Sequence, residues 1–209
     1  MSDQTTPQRK IHRRRGLRLA AALAVGMLVL ASCASESPVA TEVVNTDTAA
    51  ATIDGDTLPD FTMPDPALGL SVPTITGTTV TGQEVTVGGD DTARIYMFVA
   101  HWCPHCQEEL PEITEWLETD PLPNDVEIVI VSTAVDADRD NYPPSEWIQS
   151  EAWPATAIAD SPESSIAQSF GLQSFPYWVA ADADGTVVQR AGGRLGVAQV
   201  ETLISLATN

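Results

Sequence analysis

Two nearly continuous apolar runs organise the middle of this chain: Ile95-Tyr96-Met97-Phe98-Val99-Ala100 and Val126 to Ser132. Unbroken apolar character over such short lengths is the pattern of strands covered on both faces, so each is predicted to lie inside a sheet. Between them, Cys103 to Thr119 carries a helical pattern, which makes strand, helix and strand a βαβ unit. Upstream, Pro59, Pro64, Pro66 and Pro73 precede two short strand candidates, Val72 to Ile75 and Glu84 to Val87, around Gly77 and Gly82. These predict an N-terminal hairpin ahead of the main fold.

Downstream the elements continue to alternate. A helix is expected from Pro143-Pro144-Ser145 through Glu151, with proline at its start, and a short strand from Thr156 to Ala159. Asp160-Ser161-Pro162-Glu163 has the spacing of a capping box, which predicts a helix running to Phe170 and ended by Gly171. Tyr177 to Ala181 and Thr186 to Arg190 flank Asp182-Ala183-Asp184-Gly185, whose Asp-Gly favours a tight hairpin. Leu195, Val197, Val200, Leu203, Ile204 and Leu206 fall at largely helical spacing and predict a closing helix over residues 196–207. The fold class is α/β. No internal repeat, Gly-rich phosphate loop or Ser/His/Asp triad signature is visible.

The first apolar run of the chain has a different character. Leu17 to Ala31 follows Arg9, Lys10, Arg13, Arg14 and Arg15 and is short for a spanning helix, which needs about 20 residues. A basic region, a short apolar region and small residues before a cut describe a secretory signal over residues 1–32. Leu30-Ala31-Ser32-Cys33 also resembles a bacterial lipobox, which implies lipid on Cys33 as the first residue of the mature protein. Paired arginines at 13–15 leave the export route open. Residues 33–58, rich in Ala, Ser, Thr, Val and Asp without sustained period, are expected to form a flexible tether, leaving 59–209 as the folded domain.

Export changes the electrostatics. The whole chain carries a net charge of −19, and removing residues 1–32 takes away six of the ten basic residues and one of the 29 acids, leaving −24. Arg94, Arg139, Arg190 and Arg194 are the cations that remain. Such a surface repels phosphate backbones and anionic headgroups, which excludes nucleic acid as an expected partner and assigns membrane attachment to lipid.

With Cys33 acylated, two thiols remain, Cys103 and Cys106, too few for a disulfide framework. They stand two residues apart at the junction of a strand and a helix, the arrangement of a disulfide-exchange site. There the first cysteine meets unpaired backbone N–H groups and the positive end of the helix dipole, which favour a thiolate, and Cys106 follows one turn later as the resolving thiol. Pro104 presets the backbone of the first turn, and a partly protonated His105 would add positive charge beside the Cys103 sulfur. Competing readings are a zinc or copper site using His101 and His105 with the cysteines, or a binding or chaperone module with a structural disulfide. The strand-to-helix context favours disulfide exchange, and no metal is expected at these residues.

Ala100-His101-Trp102-Cys103-Pro104-His105-Cys106, Pro111 in the following helix, Gly171-Leu172-Gln173-Ser174-Phe175-Pro176 and the hairpin from Asp182 to Val187 together resemble the thioredoxin superfamily. In particular the chain resembles its exported, membrane-tethered thiol-disulfide oxidoreductases of the TlpA/ResA type, over residues 59–209. The resemblance implies a thioredoxin-like fold with a central mixed sheet flanked by helices and an N-terminal β-hairpin extension. It implies a cis Phe175–Pro176 bond facing the active disulfide, with Trp102, Phe175 and Pro176 forming a substrate groove. It further implies a redox-active Cys103–Cys106 disulfide as the only cofactor, exported cysteine-containing proteins as substrates and a membrane redox partner; a monomer is expected because no extra dimerisation segment is visible. The scaffold resembles reductants, whereas the Pro104-His105 dipeptide is that of oxidising DsbA-type enzymes. In two places the chain departs from the pattern: Met97 stands where thioredoxins carry a buried acid, and the bulky Phe175 precedes the proline. Glu108 and Glu109 are the nearest substitutes for the missing proton acceptor, but on an acidic helix both are expected at the surface.

Overall fold

The computed structural model describes residues 44–209, and in it the two apolar runs are neighbouring strands at the middle of an eight-stranded sheet. Strands β4 (Ala93–Val99) and β5 (Val126–Ser132) pair in parallel, from Ala93 opposite Val126 to Val99 opposite Ser132. Helix α1 (Pro104–Thr119) makes the crossover between them. Strand β6 (Ala157–Ala159) adds in parallel to β5, and β7 (Tyr177–Ala181) adds antiparallel to the other edge of β4. Strand β8 (Val187–Gly192) forms a hairpin with β7. The N-terminal hairpin, β2 (Thr74–Thr79) and β3 (Glu84–Val87), joins the sheet through an antiparallel pairing of β2 with β6. This is the mixed sheet of a thioredoxin-like fold with its N-terminal hairpin extension.

The alternation along β4 builds two cores. Ile95, Met97 and Val99 face one cluster with Cys106, Leu110 and Ile113 of α1 and with Val200 and Leu203 of α4 (Val197–Ala207). Tyr96 and Phe98 face the opposite cluster with Phe170, Tyr177 and Ile166 of α3 (Ser165–Ser169). Every residue of β4 is buried, which explains why the run shows no polar positions. Helix α2 (Pro144–Ser150) buries Trp147 and Ile148 in the first cluster. Each side chain so buried contributes roughly 1.5–3 kcal/mol relative to exposure.

The first strand of the N-terminal hairpin runs further than expected, Thr74–Thr79 with Gly77 inside it, and the structure differs more substantially at two other elements. Residues 44–58 are not a free tether: β1 (Thr52–Asp54) pairs antiparallel with β2, and Thr46 and Ala49 donate main-chain hydrogen bonds to Val80 and Asp160. The Asp47 carboxylate accepts from the N–H and hydroxyl of Ser145 at the start of α2, at 3.1 and 2.5 Å. Edge pairing and capping give this polar segment partners that its own sequence does not announce. The remaining part of the expected tether, the signal segment and Cys33 lie outside the described residues.

Helix α3 is also shorter than its capping spacing predicts. Ser164 takes a left-handed conformation, φ 60°, so regular helix begins at Ser165. Asp160 still acts as the cap, but for N–H groups six and seven residues on, those of Ile166 and Ala167 at 2.8 and 3.0 Å. Just beyond, Gly171 adopts φ +72° against the Pro59 carbonyl, a close approach that a Cβ would block. The segment before the hairpin is pinned there: Arg190 of β8 pairs with Asp65 and donates to the Pro59 carbonyl at 2.8 Å, with both charged side chains sealed from solvent.

Candidate active site

The chain leaves β4 at Val99 and enters α1 at Pro104, and the intervening turn fixes the first cysteine. The Cys103 N–H donates to the Ala100 carbonyl at 2.9 Å, and the Cys103 carbonyl accepts the first helical bond from Gln107 at 3.0 Å. Cys103 is thus the N-cap residue, extended at φ −80° and ψ 118°, with Pro104 opening the helix and no acidic side chain in the first turn. Its sulfur sits at the positive end of α1 without an adjacent carboxylate in that turn. Both cysteines are free thiols in this structure, and they differ in access: Cys103 is 6 % exposed and Cys106 0 %. An incoming sulfur can meet only the first. Burial pushes the Cys106 thiol well above the usual cysteine range, and the neighbouring Cys103 and Glu109 add to the rise against an Ala100 main-chain hydrogen bond.

Glu109 is not at the surface. It is 0 % exposed, one turn beyond Cys106 on the buried face of α1 that continues through Leu110, Ile113 and Leu117. Its Oε1 accepts the main-chain N–H groups of Leu195 and Gly196, at 2.6 and 2.9 Å, just before α4. Oε2 has no hydrogen-bond partner among the described residues, and neither does the buried Nε1 of Trp178. Trp178 stands opposite Met97 in the β4–β7 pairing. Burial raises the Glu109 carboxyl above its ordinary range, opposed by the Gly196 and Leu195 N–H groups and by Arg194. A buried acid thus stands near Cys106 on the helix, in a domain whose central strand carries Met97.

Around Cys103 the structure gathers the expected groove residues. Trp102 and Phe175 meet edge to face with ring centroids 5.7 Å apart, and the Phe175–Pro176 peptide bond is cis. His105 is exposed and carries its Nδ1 3.9 Å from Glu108 Oε2. Glu108 and Glu112 both face Arg194. His101, by contrast, is buried away from the cysteines' solvent face. Its Nε2 accepts the Asp136 N–H at 3.2 Å, so the ring proton is on Nδ1, which donates to the Asp140 carbonyl at 2.5 Å. Both imidazole nitrogens are committed to main chain. Among the described residues, no three His, Cys, Asp or Glu side chains are gathered for a metal ion.

The match to known proteins agrees with this geometry. The redoxin family model matches residues 53–204, nearly all of the described domain. The chain belongs to the redoxin family. Among solved structures, this redoxin is similar to StoA from Bacillus subtilis, at 18 % identity over 66 % of this chain and 99 % of that one, with a TM-score of 0.53. A thiol:disulfide interchange protein of the thioredoxin family from Chlorobium tepidum matches at 20 % identity over 66 % and 96 %, with a TM-score of 0.56. The thioredoxin domain of a thiol-disulfide oxidoreductase from Bacteroides vulgatus matches at 18 % over 68 % and 99 %, with a TM-score of 0.53. At these identities the likeness is one of fold.

The sequence reading placed Glu109 at the surface and gave Arg139 no role at the redoxin's site. Glu109 had a visible signal, its place three residues after Cys106 on the apolar stripe of α1. Arg139 had none: it lies in the loop after β5, and the structure sets its guanidinium 4.6 Å from the centroid of the Trp102 ring.

Proposed function

We propose that this protein is a thiol-disulfide oxidoreductase that exchanges disulfides with exported, cysteine-containing proteins through Cys103 and Cys106. The observation that carries the reading is the unequal pair at the helix start: an N-cap Cys103 that keeps 6 % exposure and a Cys106 sealed at 0 % one turn behind it. In the reducing direction the Cys103 thiolate attacks one sulfur of a substrate disulfide, forming a mixed disulfide and expelling the other substrate sulfur as a thiolate. Cys106 then gives its proton to Glu109 and attacks the Cys103 sulfur, which releases the second substrate thiolate. Two electrons pass from the protein dithiol to the substrate disulfide, and the substrate thiolates take up two protons, one given up by Glu109 and one from solvent that replaces the proton Cys103 lost on ionising. In the oxidising direction the same steps run backwards, and the potential of the couple against its partner sets the net flow.

This chemistry uses the Cys103–Cys106 disulfide as its only cofactor. A partner that restores the starting redox state is required at every turnover, and a membrane dithiol or disulfide carrier fits an exported protein. The basic and apolar N-terminus and the Leu30-Ala31-Ser32-Cys33 sequence support placement outside the bacterial cytoplasmic membrane, held by lipid on Cys33. Among the described residues, no helix is long and apolar enough to cross a membrane.

The test is a trap. A Cys106→Ser variant of the full chain should accumulate a covalent adduct with a disulfide-bonded substrate peptide on Cys103, stable until a thiol is added. A Cys103→Ser variant that still exchanges disulfides at the wild-type rate would reject the assignment. Unchanged peptide binding on reduction, with a disulfide that resists dithiothreitol, would favour a binding module.

A further inference from the structure

We infer that Arg139 selects substrates bearing a carboxylate beside the reacting cysteine, an inference that rests on the thiol-disulfide exchange reading above. Of the four arginines that follow residue 33, three are neutralised: Arg94 by Asp90 and Glu127, Arg190 by Asp65, and Arg194 by Glu108 and Glu112. No ion pair of the described residues includes Arg139, although Asp136, Asp138 and Asp140 all lie within three residues of it. Its guanidinium instead lies over the Trp102 ring, immediately before Cys103 in sequence. On a strongly acidic protein, the one arginine left without an ion-pair partner among the described residues lies over the aromatic residue that precedes the reacting thiol.

Both the ring and the loop that carries Arg139 are held. Trp102 Nε1 donates to the Ala134 carbonyl at 2.8 Å, and His101 ties down the loop at Asp136 and Asp140, on both sides of Arg139. Asn141 Nδ2 adds a bond to the His101 carbonyl at 3.3 Å, and the Arg139 N–H closes a turn on the Asp136 carbonyl at 3.2 Å. The indole in turn meets Phe175 next to Pro176. A guanidinium stacked on an aromatic face keeps its in-plane N–H donors free, and that fork matches a carboxylate. A substrate whose sulfur bonds to Cys103 carries its flanking residues past Trp102, within reach of this fork. The cation–π contact biases the exposed guanidinium toward this position, which lowers the freedom lost on binding.

The experiment uses the full chain and a series of disulfide peptides identical except for one residue beside the cysteine: Glu, Gln or Lys. Second arms compare free and amidated C-termini in the Gln peptide, which separates a side-chain carboxylate from a chain end as the source. Rates are divided by those of the same peptides with dithiothreitol, which removes the residue's intrinsic effect on sulfur reactivity. The expected result is a Glu-over-Gln preference of about three- to fivefold at low ionic strength, shrinking toward one in 0.5 M salt. In Arg139→Gln the ratio should fall to about one or below, and Arg139→Lys, with charge but no fork, should fall between. A wild-type ratio of one, or a preference that survives in Arg139→Gln, would overturn the role of Arg139. Failure of every peptide to exchange with the wild type would instead reject the oxidoreductase reading beneath it.

Discussion

Cys106 and Glu109 stand three residues apart on the buried face of α1, and both side chains are sealed from solvent. A thiol raised by burial resolves a mixed disulfide only if a nearby group takes its proton, and Glu109 is the acid placed to do so. Glu109→Gln keeps the oxygen that accepts from Leu195 and Gly196 but removes the base. We expect resolution to slow by about a hundredfold or more while the first attack by Cys103 proceeds normally. Quenched-flow mass spectrometry should show the mixed disulfide accumulating, and an adduct lifetime equal to wild type would remove Glu109 from the mechanism.

The same carboxyl shapes stability against pH. Its value is raised in the folded protein, so between the ordinary carboxylate range and the folded value the native state binds more protons than the unfolded one. Stability from this group is complete below the ordinary range and is lost as pH rises through the folded value. Glu109→Gln should therefore be more stable than wild type at neutral pH, with the difference vanishing in acid. Denaturant melts at pH 4 and pH 7 check this, and an equal difference at both would contradict it.

Asp65 and Arg190 have the opposite sign. Burial alone would raise the Asp65 carboxyl, but hydrogen bonds from Arg190 and the Ala67 N–H outweigh it, so the folded value is lowered. The stability this pair adds is present above the ordinary carboxylate range and lost as pH falls through the folded value. Asp65→Asn leaves a buried guanidinium uncompensated and should cost about 3 kcal/mol or more at neutral pH. Replacing Arg190 by Met in the same chain should recover part of that loss, because the stranded charge is gone. A single Asp65→Asn variant as stable as wild type would show that the pair does not pin residues 58–67 to β8.

Asp47 tests whether residues 44–54 are part of the domain. Its carboxylate is the acceptor for Ser145 at the first turn of α2, and a cap of this kind is worth about 1 kcal/mol. Asp47→Ala should lower stability by that amount and increase hydrogen exchange at Thr46 and Ala49, whose N–H groups bond to Val80 and Asp160. Unprotected amides at these two positions in the wild type would return the segment to a free tether.

What the sequence made legible was set by local rules, and what it hid was set by distant partners. The apolar runs of β4 and β5 and the cysteines at the start of α1 are read correctly because burial on both faces and helix entry each leave a mark within a few residues. Glu109 looks solvated among Glu108, Glu112 and Glu115, and what buries it is Leu195-Gly196, 86 and 87 residues later. Ile53 is a lone apolar residue until β1 finds the edge of β2 at Ile75. Arg139, among three aspartates, reads as a solvated loop charge until the fold brings Trp102 beneath it. The short α3 follows from one left-handed residue, Ser164, that no helix-start rule anticipates.

The measurement that bears most directly on the central claim is the redox titration of the full chain in thiol-disulfide buffers, read by mass spectrometry with the two cysteines mapped. A single reversible two-electron transition joining Cys103 to Cys106 is expected, between about −120 mV, where strong disulfide donors lie, and about −270 mV, the level of thioredoxin. A pair that stays thiol throughout, or a disulfide that dithiothreitol does not open, would contradict it.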